Sequence, residues 1–198
     1  MQTLGLSSET KRADGRLKSL LWPTVENAWD VDYLGQQGMW ICTLVAVATL
    51  VQTALTGNPL ILGIGVLATL FYLIGGMGVR QGNWPAAALV LAVYGLEIVA
   101  QAAQFQFPNI IRIAIALVLL SNLRATFLAS EWRPAAEDED RPTRFNETLA
   151  DKFVDQMPAK VWPALQIPFV ILGVTMLLFT LAGLGMIFAN RFGLFAHR

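Results

Sequence analysis

PLILGIGVLATLFYLIGGMGV, residues Pro59–Val79, runs for 21 residues without a charged side chain. At 1.5 Å per residue it makes a helix of about 30 Å, the thickness of a bilayer's hydrocarbon core. Its apolar residues are continuous and do not alternate, which favours a helix over a barrel strand. Within hydrocarbon every backbone amide and carbonyl needs a partner, and a helix supplies it inside one segment.

Four more runs of this kind flank it. GMWICTLVAVATLVQTAL (Gly38–Leu55) lies upstream. WPAAALVLAVYGLEIVAQAA (Trp84–Ala103) and PNIIRIAIALVLLSNLRATFL (Pro108–Leu128) follow. The last extends from Val161 to Ala189. As a helix it would measure about 43 Å, too long to cross upright. With Pro163 and Pro168 in its first turns, its membrane core is expected at Phe169–Ala189. Trp162 is expected at the interface, and Trp40, Trp84 and Trp132 also fall near span ends as anchors.

These runs predict an all-α integral membrane protein, a five-span helical bundle. Residues 1–34 form an N-terminal cytoplasmic or interfacial segment, and residues 35–128 hold spans 1–4. Residues 129–160 form a cytoplasmic loop, and residues 161–198 hold span 5 and a short tail. Composition agrees. Of 198 residues, 55% are apolar and 14% charged, against roughly 25% charged in soluble domains. Mean hydropathy is +0.53. A disordered chain is excluded. A soluble core is excluded as well, since five buried helices would leave nothing to cover them.

Lys and Arg prefer the cytoplasmic side of spans. With the N-terminus inside, eleven of the fourteen cations lie inside, so the orientation is N-in/C-out. The first 34 residues are polar or mixed and show no cleavable signal peptide, so Gly38–Leu55 is a retained span that also targets the chain. The expected location is a cell membrane, the bacterial cytoplasmic membrane. The sequon Asn146–Glu147–Thr148 then falls in the cytoplasm and is silent.

Two soluble pieces carry pattern. Leu17, Leu20, Leu21, Val25 and Trp29 fall near helical spacing around Trp22, with a break at Pro23, and suit a segment lying along the inner interface. Between spans 4 and 5, Phe145, Leu149, Phe153 and Met157 recur every four residues. They predict an amphipathic helix over 143–157, capped by Thr143 and stopped by Pro158, packing on the cytoplasmic ends of the spans, with a partner-protein surface as the alternative. The acidic run Glu137–Asp140 reads as a solvated loop.

Charges inside spans are costly and mark candidate sites. Glu97 and Arg112 flank the predicted turn of the span 3–span 4 hairpin at equal distances. They are expected at one depth, roughly 10 Å below the outer surface, forming an ion pair. That pair either fixes the hairpin's register or, with Gln101 one turn from Glu97, lines a polar binding or conducting cavity. Arg124, near the cytoplasmic end of span 4, is expected to snorkel or cap a neighbouring helix, with anion or lipid-headgroup binding as the alternative. Ser121, Ala125 and Ala129, Ala88 and Ala92, Gly75, Gly76 and Gly78, and Gly183 and Gly185 mark expected packing seams.

Equal totals of fourteen acidic and fourteen basic residues give no basic excess for nucleic acid. One cysteine, Cys42, and one histidine, His197, exclude a disulfide framework and a Cys/His zinc set within the chain. No phosphate loop, nucleophile elbow or paired-His motif occurs. Neither a metal nor a cofactor is therefore expected, and no catalytic set.

The stretch Gly78–Arg133, with GVRQGNW (78–84) and SNLRATFLASEW (121–132), resembles uncharacterised bacterial multi-span membrane proteins. The resemblance implies a polytopic membrane protein and carries no activity. The expected function is association in the bilayer, as a subunit, scaffold or assembly factor, with a membrane-protein partner or a second copy of the chain. The alternative is a small oligomeric transporter or channel using Glu97 and Arg112, with a lipid-active enzyme third.

Overall fold

The computed structural model describes residues 18, 21–25, 28–104, 109–131 and 152–191. Among them no residue is in a strand. Five helices account for almost all: α1 (Ala28–Ala54), α2 (Pro59–Arg80), α3 (Trp84–Ala103), α4 (Ile110–Glu131) and α5 (Met157–Arg191). A π-helical turn, Lys152–Gln156, leads into α5. All five helices are long and apolar enough to cross a membrane.

The first two connections use the same local chemistry. Gly57 and Gly82 adopt positive φ of 65° and 68°, where a Cβ would be strained. Each is followed by an asparagine N-cap. Asn58 Oδ1 accepts from the Leu60 amide at 2.9 Å, and Asn83 Oδ1 accepts from the Ala86 amide at 2.9 Å. A proline in the next two positions lacks only an amide that has no helical partner there. These signals make α2 and α3 start and stop within a residue of the predicted runs.

Helices α1, α2, α3 and α4 pack in a ring in which each touches its two neighbours, and α5 lies outside against α2 and α3. The start of α1, the end of α2 and the turn before α5 meet at one end, where Arg80 joins Asp32 and Asp155. We call this the proximal end. At the distal end, Arg191 Nη1 donates to the Ala103 carbonyl at 3.2 Å, joining the ends of α5 and α3. All five helices therefore run the full length of the bundle in alternating directions. From Asp155 to Arg191 a straight helix would span about 54 Å, whereas α3 spans about 30 Å.

The core centres on the glycine-rich end of α2. A Cβ on Gly76 would sit 2.9 Å from Cys42 Cβ on α1. A Cβ on Gly78 would sit 2.5 Å from the Trp162 ring of α5 and 2.6 Å from Ala86 Cβ of α3. Glycine at both positions lets three helices close on α2. Phe71 stacks on Phe169 at 5.0 Å between ring centroids, and Trp162 meets Phe169 edge-on at 5.5 Å.

Several expectations are corrected. Helix α1 starts at Ala28, ten residues before Gly38, because Asp32 is matched by Arg80 and Leu34 is buried. Trp162 is buried in the core and is no interface anchor, whereas Trp40 and Trp84 are exposed. Pro158 does not stop a helix. The π turn runs into α5 through it, and the wider turn opens the ladder where the ring would meet an earlier carbonyl. Among the described residues, nothing lies against Gly183 or Gly185, and they form no seam there. On α3 the buried small residues are Ala86 and Ala87, whereas the expected Ala88 is half-buried and Ala92 exposed. Of the helix expected over 143–157, residues before 152 lie outside the described set, as do Glu137–Asp140, the sequon and Trp132.

Candidate functional site

Ala87, Val90, Tyr94, Glu97 and Gln101 follow one another at three- and four-residue steps, so they form one stripe of α3. The first three are buried and the last two half-buried. Glu97 lies thirteen residues into α3, about 20 Å from the proximal end. Tyr72 lies thirteen residues into α2, about 20 Å from the distal end. Helical side chains lean toward their own N-terminus, so in antiparallel neighbours these two lean toward each other. The Tyr72 hydroxyl donates to Glu97 Oε1 at 3.0 Å. Tyr94 meets the Tyr72 ring edge-on at 6.3 Å between centroids.

Arg112 does not form the expected ion pair with Glu97. Its Nη1 donates to Gln101 Oε1 at 3.2 Å, one turn farther out on α3. Its amide donates to Asn109 Oδ1 at 2.9 Å. Gln101–Arg112 therefore links α3 to α4 near the distal end of their hairpin. The equal-depth reading misses because it treats the two charges as points and ignores the Gln101 carbonyl within the guanidinium's reach. Glu97 is left with a phenol, a neutral partner.

Arg124 Nη1 donates to the Pro23 carbonyl at 3.2 Å, and its guanidinium carbon lies 5.2 Å from the Trp22 ring centroid. The last backbone bond of that N-terminal turn, Trp22 to the Lys18 carbonyl, is 2.8 Å. Arg124 thus caps the end of the turn and covers its tryptophan, which ties the N-terminal segment to α4. The four sequence candidates divide into a mid-bundle and distal group (Glu97, Gln101, Arg112) and a proximal one (Arg124).

The sequence reading missed Arg80. Its side chain is 4% exposed, donates to Asp32 Oδ1 at 2.8 Å and bridges to Asp155. It also donates to the Asp32 backbone carbonyl at 3.2 Å. Charge counting treats such a residue as loop chemistry. The signal that could have found it is an arginine closing an apolar run directly after GGMGV, where the glycines bring other helices close. Further buried polar groups line α4. Asn122 Nδ2 donates to the Val118 carbonyl at 2.9 Å and Thr126 Oγ1 to the Asn122 carbonyl at 3.1 Å, each along its own helix.

A double-mutant cycle separates these contacts. Tyr72→Phe with Glu97→Gln is expected to show coupling of about 1 kcal/mol, since the two side chains share a hydrogen bond. Glu97→Gln with Arg112→Met is expected to add within about 0.5 kcal/mol. Thermal unfolding in detergent measures both.

A scan against protein-family models finds no match, and searches of the curated proteins and of the solved structures find none. The class is defined by the helices themselves: a bundle of five candidate membrane spans whose interior charges are held by partners within the chain.

Proposed function

We propose that this chain is a multi-pass protein of the bacterial cytoplasmic membrane, N-in/C-out, that acts through association in the bilayer as a subunit, scaffold or assembly factor. The observation that carries this reading is the contrast between interior and surface. Arg80, Arg112 and Arg124 each have partners inside the chain, while the outward faces are apolar. The contrast is strongest on α5. One stripe, including Trp162, Phe169 and Gly173, faces the bundle, and Ile171, Leu178, Phe179 and Met186 face away. Orientation is supported by the cation-rich segments of the sequence, which attach at the proximal end. Native mass spectrometry from lipid nanodiscs tests association. A second copy or a stoichiometric partner is expected, and a lone chain at every concentration would contradict the reading.

One observation favours the second reading, a small transporter or channel. Glu97 has Tyr72 as its partner where a register-fixing acid would have arginine. On that reading, Glu97→Gln leaves the protein folded while flux in proteoliposomes collapses.

A further inference from the structure

The bundle is packed more tightly at its proximal end. On α1 no residue after Ala46 is buried, and on α3 none after Tyr94. On α4 the buried residues begin at Val118. On α2 the last six residues are all buried, whereas the first six are all exposed. Beyond the level of Tyr72 and Glu97, α1 and α2 still close on each other through Gly65 against Thr53 and Thr69 on the Ala46 carbonyl, while the inward stripe of α3 is only half covered. Glu97 and Gln101 lie on that half-covered part of the α3 stripe, and Arg112 faces Gln101 from α4. On the proximal side of the same level, Tyr72, Phe71, Val90 and Phe169 fill the core.

We propose that the distal half is a water-reachable vestibule ending at Tyr72–Glu97, and that Glu97 is a proton-binding site served from the distal side. The inference goes beyond association, since a chain can bind a partner and a proton independently. Three arguments support it. A carboxylate at mid-bundle with no cation bonded to it among the described residues is expensive in hydrocarbon, and proton uptake discharges it without moving a helix. The proton added to Glu97 comes from vestibule water, and the Tyr72 hydroxyl keeps the carboxyl oriented in both states. A metal cation fits poorly, because hard cations take six or more oxygens and among the described residues only Glu97 and Tyr72 are joined here.

The groups that surround Glu97 are few. Tyr72 comes from α2, Tyr94 from α3 itself and Arg112 from α4. From α1 comes Cys42, buried in the same cluster. From α5 the cluster takes only apolar and aromatic side chains.

A hydrophobic carbodiimide tests this on the whole protein in nanodiscs, because it adds to protonated carboxyls within the lipid phase. We expect a mass gain of one reagent, mapped to Glu97 by peptide sequencing. The labelling rate should fall about tenfold per pH unit above a single midpoint. Tyr72→Phe should move that midpoint while leaving the labelled residue the same. In sealed, oriented vesicles, the midpoint should follow the pH of the distal compartment. No labelling of Glu97 at any pH, or labelling independent of pH, would overturn the proton site. A midpoint that follows the proximal compartment would overturn the vestibule.

Discussion

Arg80→Met is expected to destabilise the bundle by about 3 kcal/mol. Removing one member of a buried charge cluster costs about 3–5 kcal/mol, because the remaining charges lose their partner. The lower figure applies here since the Asp32 side chain is 39% exposed and water offsets part of its loss. The effect is large because Arg80 ties three elements at one point: the start of α1, the end of α2 and the π turn ahead of α5. At about 2–4 °C per kcal/mol for a chain of this size, the midpoint of thermal unfolding in detergent should fall by about 10 °C. Arg80→Lys keeps the charge but loses the planar fork that reaches two carboxylates, and should fall between the two. Asp155→Asn should cost less than Arg80→Met, since Asp32 still holds the guanidinium. Equal midpoints for wild type and Arg80→Met would show that the cluster contributes nothing to the fold.

Gly78→Ala is the second large effect, expected at about 1–3 kcal/mol destabilising. The added methyl would lie 2.5 Å from Trp162 Cη2 and 2.6 Å from Ala86 Cβ, so α5 or α3 must shift outward. Adding Trp162→Phe shortens the ring that occupies the notch, and the double variant should recover part of the loss. Gly183→Ala is the matched control. Nothing lies within 4 Å of its Cβ, and alanine is the better helix former by up to about 1 kcal/mol. The two glycine-to-alanine changes should therefore move the unfolding midpoint in opposite directions. A shared sign would contradict the packing described for α2.

What the sequence made legible follows from what hydropathy can register. Helices α2 and α3 are read almost to the residue, since Gly57–Asn58–Pro59 and Gly82–Asn83 punctuate two uninterrupted apolar runs. The start of α1 is not, because a hydropathy window counts Asp30 and Asp32 as polar and cannot see that Arg80, 48 residues later, is bonded to Asp32. Trp162 looks like an anchor by its place in the run, and only the Gly78 notch shows why it turns inward. Within the site, Glu97, Gln101, Arg112 and Arg124 are found by the rule that charge and polarity in hydrocarbon need a reason. Their partners are not, since Tyr72 and Pro23 are ordinary residues in sequence and become partners only when α2 meets α3 and the N-terminal turn meets α4.

The central claim is five crossings, with α5 starting at the proximal end beside Arg80 and finishing at the distal end beside Ala103. Reporters that are active on only one side of the membrane, fused in turn to the two termini of the full chain, test it directly. Five crossings place the termini on opposite faces, with the N-terminal fusion on the cytoplasmic side. Finding both termini on the same face would mean that one of the five helices does not cross, and would contradict the account.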